Sequence, residues 1–391
     1  SSRLAPAMDG EVVVDGARAS NSTPPRAGAS CGLELSELGA AARENWAEPL
    51  LTALPAQARP AGAVANALQQ YGLASVMLTE DHRKANAAAF TAARGPLTAA
   101  QDGVAPHRID SEADSADVSG SHAAGALSWY NAFRAGFIFS NGAVLDLDET
   151  GDAPDGFMAT MRRFYAAQTG LVLQLLGELA AALKLEADWF DVELGPLGEH
   201  SQWHVKRYCS DAAPANTVAD GRNVLLPVHT DPSILSLVIH DREGVQPGCM
   251  GLEFQVRGEA TKRVWMEAPW SGHGVATLIC GSVLDRMTGG LFPAARHRVV
   301  APATDLAVGD EEPRVAATFF FRPAPAAVLR RIPSPIVSAQ GVAVKPITFQ
   351  QWKRRVASRY EGSRAKDDRR AGKVARGDAS AQTERTFDAR R

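Results

Sequence analysis

Cysteine is scarce in this chain. Only Cys31, Cys209, Cys249 and Cys280 occur in 391 residues, and no two of them are spaced C-x-x-C. That excludes a disulfide-stapled secreted scaffold and predicts free thiols in a reducing compartment. Long apolar runs are missing too. The best of them, LVLQLLGELAAAL from Leu171 to Leu183, is too short to span a bilayer and is broken by Gln174 and Glu178. Charge of one sign is not in excess: 41 Lys and Arg face 44 Asp and Glu, for a net of -3, so nothing argues for a nucleic-acid partner. The basic stretch from Lys353 onward is read as solvated surface. Internal repeats are absent. The first thirty residues lack the apolar block of a secretory signal, and Asp9, Glu11 and Asp15 speak against a transit peptide. The expectation is a cytoplasmic protein, with an organelle as the alternative, that meets neither membrane nor nucleic acid. Oligomeric state is not legible.

What is present is ordinary globular material, 45% hydrophobic and 22% charged, enough for a large core. Residues 1–32, rich in Ser, Ala, Gly and Pro, read as a disordered leader. Residues 33–200 read as an N-terminal helical and β region. Within them AGAVANALQQY leads into the strand-like GLASVML, Gln101 to Gly125 is a polar mobile loop, AGFIFS has strand character and GDAPDG a turn. Phe157 to Leu185 carries Met161, Phe164, Leu171, Leu175, Leu179 and Leu183 at helical spacing, which predicts a long brace helix.

From 201 to 325 the texture changes to short β-rich segments cut by Gly, Pro and Asp: WHVKRY, NVLLPVH, SILSLVIH, LEFQV, RVWMEA, VATLIC, RHRVVA and RVAATFFFRP. Many closely spaced strands predict a jelly roll. Residues 326–362 form a connection and an amphipathic helix (FQQWKRRVASRY), and 363–391 a disordered charged tail. The fold class is thus α+β: a double-stranded β-helix core with flanking helices and an N-terminal α/β extension.

The chemistry starts at LLPVHTDPSILSLVIHD, residues 225–241. On a strand, His229 and Asp231 at i and i+2 point to one face. An imidazole and a carboxylate aimed at one buried spot are costly to desolvate unless a cation sits between them, and a metal is the usual answer. Alone, H-x-D is a weak signal. Downstream, RHRVV places His297 in another strand-like run, and two imidazoles with one carboxylate suit a non-haem iron(II) oxygenase or, with similar atoms, a zinc hydrolase. Next, RVAATFFFRP opens with Arg314, whose guanidinium inside a barrel is a fixed fork for a carboxylate. Arg322 lies on the same face and is a rival. Of the other histidines, His240 reads as a surface residue, and the H-x-x-x-H of His200 and His204 lies in extended sequence that does not suit zinc. Phe319 to Phe321 read as core with one face toward a pocket.

Across most of its length the chain resembles the iron(II)- and 2-oxoglutarate-dependent dioxygenases, in their isopenicillin N synthase-like branch. The matching motifs are HTD (229–231), GSVLDRMTGGLFPAARHRVV (281–300) and RVAATFFF (314–321), in the family's order. Leu252 in GLEFQV, Tyr208 in RYCS, the N-terminal ALQQYGLASVML and the closing ITFQQWKRRVASRY match as well. The resemblance implies iron(II) held by His229, Asp231 and His297. It implies 2-oxoglutarate held by Arg314 and Tyr208, with dioxygen as the third reactant and hydroxylation or desaturation of a small molecule coupled to release of succinate and carbon dioxide. No catalytic residue beyond the metal ligands is implied.

Three positions depart from the pattern. Ala316 stands where the family has a serine that contacts the cosubstrate, a loss of ~1 kcal/mol. Lys206 stands where an asparagine is frequent, and Cys209 where a proline is. A 2-oxoglutarate-independent iron oxidase and a non-catalytic binding protein are the alternative readings. The acidic loop before Gly125 and the aromatic stretch Trp129 to Phe139 are expected to cover the site.

Overall fold

The computed structural model describes residues 62–99, 107–108, 127–131, 134–140, 156–208, 218–219, 222–241, 251–257, 263–268, 272–301, 314–338 and 343–358. The leader, the charged tail, most of the acidic loop and all but Gly156 of the GDAPDG turn lie outside these residues. Each β-rich segment of the second half becomes a strand. The strands are β5 (Gln202–Tyr208), β6 (Val218–Ala219), β7 (Arg222–His229), β8 (Leu235–His240), β9 (Leu252–Arg257), β10 (Arg263–Glu267), β11 (Val275–Cys280), β12 (His297–Val300) and β13 (Arg314–Phe321). Ahead of them come β1 (Leu73–Met77), β2 (His107–Arg108), β3 (Leu127–Asn131) and β4 (Arg134–Ser140).

They form two sheets. The larger has eight strands in the order β1-β11-β8-β13-β5-β4-β3-β2, and the smaller five in the order β10-β9-β12-β7-β6. Alternation explains how β8 and β13 serve two cores. Leu235, Leu237 and Ile239 with Val315, Ala317, Phe319 and Phe321 join the helices on one side. Val238 and Ala316 join Leu252, Phe254 and Val299 between the sheets. Both faces are buried, so these strands read as nearly continuous apolar runs.

The helices cover the outer face of the large sheet. They are α1 (Ala63–Tyr71), α2 (Glu80–Ala99), α3 (Phe157–Ala182), α4 (Trp189–Leu194) and α5 (Leu197–His200), followed after β11 by α6 (Ser282–Thr288). Beyond β13 come β14 (Val328–Leu329), α7 (Pro335–Ser338), β15 (Ile347–Thr348) and α8, residues 349–358. The brace helix α3 buries Met161, Phe164, Leu175 and Leu179 as its period requires. It stops at Ala182 rather than Leu185 because Lys184 turns into the left-handed region (φ 58°). The Leu185 N–H then reaches the Ala180 carbonyl at 2.9 Å and the Lys184 N–H that of Ala181 at 3.0 Å, closing the last turn.

Two features were not foreseen. Helix α2 packs Phe90, Ala93 and Leu97 into the core, tied by Asn86, which donates to the His273 carbonyl (2.7 Å) and accepts from Gln168 (2.8 Å). The aromatic stretch expected as a cover is instead built into the large sheet, where β4 pairs along β5 and β3 along β4. Among the described residues no helix is long and apolar enough to cross a membrane.

Candidate metal centre and anion pocket

The two histidines meet across a strand pair. His297 on β12 lies directly opposite His229 on β7, with ring centroids 4.2 Å apart. The register shifts between His297 and Val299, opposite the stretch of β7 that holds Pro227. A proline has no N–H for the ladder, so it suits such an irregularity. The shift re-aims the strand, and Leu226 and His229, at odd spacing, both line one pocket.

Asp231 arrives differently from the expected i, i+2 alternation. Strand β7 ends at His229, and Asp231 sits in the following loop. Its carbonyl accepts the Ser282 N–H at 2.8 Å and the Ser233 carbonyl accepts that of Val283 at 3.0 Å, so the first turn of α6 holds the loop. Gly281 makes this approach possible: a Cβ there would lie 2.0 Å from the Ser233 carbonyl oxygen. The next loop is fixed likewise, with the Asp285 carboxylate accepting the Ala294 N–H at 3.1 Å just before His297.

In this arrangement Asp231 Oδ1 is 3.5 Å from His229 Nε2 and 3.6 Å from His297 Nε2. Each imidazole donates through Nδ1 to a backbone carbonyl, His229 to Pro227 (2.8 Å) and His297 to Ala295 (3.0 Å). Carbonyls only accept, so the proton sits on Nδ1 and the bare Nε2 faces the centre. Burial, then the neighbouring His297, push the His229 imidazole down to about 3 against the pull of Asp231. Burial alone would raise the Asp231 carboxyl, but His297, His229 and Lys206 outweigh it and hold it below its ordinary value. Its Oδ2 is buried with no hydrogen-bond partner among the described residues. Two lone pairs and an anion, all within 4.8 Å of one another, are a donor set that fits one divalent ion and leaves positions for exogenous ligands. No other such group occurs among the described residues.

The triad opens on a cavity of about 400 Å³, mouth included, between the sheets. Leu226, Val238, Leu252 and Val299 form its apolar wall, and Lys206, Tyr208, Arg314, Ala316, Thr318 and Phe320 its floor. Arg314 and Tyr208 are directly opposite on β13 and β5, and the guanidinium carbon sits 4.9 Å from the ring centroid. Tyr208 therefore presents its face to the arginine and sets the plane of the fork. Lys206 points into the pocket, 7% exposed, with Nζ 5.6 Å from the Phe320 ring. Its charge acts on His229 and Asp231, whereas that of Arg314 acts on His240 and Glu267. Arg322, the rival fork, bonds Gln202 and lies outside the lining. Phe320 faces the pocket while Phe319 and Phe321 face the helices, as alternation requires.

Two residues escaped the sequence reading. His240 is not on the surface: it is 1% exposed, because the end of β8 is covered on both faces. Glu267 closes β10, accepts the Gly251 N–H and is held above its usual range by burial, against the pull of Arg222 and Arg314. Nothing in the sequence around Glu267 marks it. His204 lies on β5 and not on a helix, so the H-x-x-x-H pair shares no metal.

The jelly roll thus brings two histidines of the small sheet and an aspartate of the loop after β7 into one pocket with an arginine of the large sheet. Residues 203–323 match the family model of the 2OG-Fe(II) oxygenase superfamily. Gibberellin 2-beta-dioxygenase 1 of Oryza sativa subsp. japonica is 28% identical over 160 residues, 40% of this chain and 38% of that protein. Deacetoxycephalosporin C synthase of Amycolatopsis lactamdurans is 28% identical over 161 residues, 41% of this chain and 46% of that one. The chain thus matches less than half the length of these curated relatives. Among solved structures, the dioxygenase for auxin oxidation in rice shares the fold with a TM-score of 0.52 at 18% identity, over 75% of this chain and 89% of that one. Over its β5–β13 segment the chain is similar to the 2OG-Fe(II) oxygenase superfamily.

Proposed function

We propose that the protein is an iron(II)- and 2-oxoglutarate-dependent oxygenase that hydroxylates or desaturates a small-molecule substrate, with succinate and carbon dioxide as co-products. The observation that carries this reading is one pocket lined by the buried His-Asp-His triad and by two cationic side chains, Lys206 and Arg314, a set that suits a metal-bound dicarboxylate. The family match and a dioxygenase among the relatives support it.

In this reading His229, Asp231 and His297 hold the ion through two Nε2 atoms and a carboxylate oxygen. The Pro227 and Ala295 carbonyls keep those imidazoles in the ligating tautomer. Arg314, its plane set by Tyr208, takes the distal carboxylate as a fork. Lys206 offsets negative charge in the same pocket. Iron(II), with 2-oxoglutarate and dioxygen, supplies the oxidising power for breaking a substrate C–H bond. The chain's part is geometry and dryness: the walls formed by Val238, Leu252 and Val299 exclude water while the open side of the pocket aims the substrate. The buried thiol of Cys280 fits a reducing compartment such as the cytoplasm.

The test is anaerobic titration of iron(II)-loaded protein with 2-oxoglutarate, following the weak visible charge-transfer band of the chelate. A band that His229→Ala abolishes is the expected result. Iron bound without a band points to a 2-oxoglutarate-independent oxidase, and failure to bind iron sinks the enzyme reading.

A further inference from the structure

Position 316 is the smallest side chain on the pocket-facing row of β13, and it is flanked on both sides. On β5 its direct partner is Lys206; on β8 it is His240. Directly opposed residues of antiparallel strands point to the same face, with Cβ atoms about 5 Å apart. His240 therefore points to the same side as Val238, Arg314 and Ala316, which line the pocket, and stands beside the small Ala316 side chain at its edge. Its imidazole is 1% exposed, and neither ring nitrogen has a hydrogen-bond partner among the described residues. The neighbouring Asp241 is engaged elsewhere, bonding Arg94 at 2.9 Å and the Val315 N–H at 3.2 Å.

An imidazole buried without partners is destabilising unless something completes it. The charge that acts on it is Arg314, the fork of the anion pocket. Burial, and then that charge, hold the ring neutral, well below its usual range. A neutral imidazole has one N–H to give, and a carboxylate gripped by Arg314 has oxygen lone pairs to receive it.

We infer that His240 is a cosubstrate-binding residue, donating its ring N–H to the distal carboxylate of the acid held by Arg314 and so doing from β8 what the side chain of Ala316 cannot do from β13. This rests on the reading of 2-oxoglutarate as cosubstrate. It makes His240 a determinant of specificity for 2-oxo acids that carry a second carboxylate.

The experiment compares two ligands of the iron(II)-loaded protein under anaerobic calorimetry: 2-oxoglutarate and 2-oxopentanoate, which lacks the distal carboxylate. His240→Leu is expected to weaken 2-oxoglutarate about tenfold, the worth of one charge-assisted hydrogen bond, and to leave 2-oxopentanoate unchanged. His240→Gln retains a donor and most of the affinity, and Ala316→Ser added to His240→Leu recovers it. Equal loss for both ligands, or no loss for either, overturns the inference while the function stands. A wild-type protein that does not bind 2-oxoglutarate overturns both. Should His240→Leu fail to fold, the ¹⁵N imidazole signal of His240 in zinc-loaded wild-type protein, assigned with His240→Gln, decides. It is expected to move with 2-oxoglutarate and not with 2-oxopentanoate, and an unmoved signal overturns the inference.

Discussion

At Asp231 the neighbouring charges decide the protonation state, whereas at His229 and His240 burial does. His229 and His240 both resist protonation for that reason, and the sign of the consequence is fixed. An unfolded histidine titrates near 6.5, while the folded ones titrate lower, so between those values the unfolded chain binds protons that the folded chain refuses. Stability therefore falls as pH drops below 6.5. Glu267 and Asp285, held above their usual values by burial, work in the opposite sense at lower pH, so the histidine contribution is best isolated by difference. Urea unfolding of metal-free protein at about pH 7.5 and 5.5 should show wild type losing roughly 1 kcal/mol more than His240→Gln over that interval. Equal losses would mean that His240 titrates normally. Residue types and spacing singled out His229, Asp231 and His297, and the family resemblance added Tyr208 and favoured Arg314 over Arg322; all five line one pocket. The sequence reading misjudged His240, since a histidine beside an aspartate at a strand end looks solvent-facing until the covering layers are known.

At the level of elements, the strands of the second half were readable because β-branched and aromatic clusters between Gly, Pro and Asp leave few alternatives. Less readable was what sets Asp231. The i, i+2 argument brought it to the right place for the wrong reason: the aspartate is off the strand, and the turn between β11 and α6 carries it. Gly281 is the weak point of that joint. With Gly281→Ala the new methyl must displace backbone of the loop that follows Asp231, and a shift of even a few tenths of an ångström disturbs a metal ligand. We expect metal affinity to fall by about 10- to 100-fold, as for disrupted ligand support elsewhere, with the far-UV circular dichroism unchanged. Unaltered affinity would show that the loop yields freely. The end of α3 was misread by three residues because Lys184 occupies a left-handed position where glycine is the usual signal.

Across the whole molecule, the helical layer, the large sheet and the small sheet divide the labour. Helix α8 braces α6 from behind, Trp352 donating to Ser282 Oγ at 3.2 Å and lying 4.9 Å from the Arg286 guanidinium carbon. The large sheet carries Arg314, and the small sheet His229 and His297, with Asp231 in the loop that follows β7. A divalent ion bound only by the folded chain should stabilise it by about 2.7 kcal/mol at a hundredfold excess over its Kd. Differential scanning fluorimetry with zinc(II), and its reversal by a chelator, would measure this. An unchanged melting temperature in His229→Ala alone is the expected control, and a shift in both proteins would place the ion elsewhere. AGFIFS gave β4, but β2, β3 and helix α2 were not legible, because very short strands and an alanine-rich helix carry little periodic signal.

The pairing of His297 with His229 on neighbouring strands has one more consequence. Side chains on a strand alternate, so a slip of β12 by one residue would turn His297 away and bring Arg298 to face the pocket. A guanidinium would then occupy the place of the ion. Metal uptake would thereby report on register: only a chain whose β7 and β12 are correctly paired within the small sheet can offer both imidazoles to one ion.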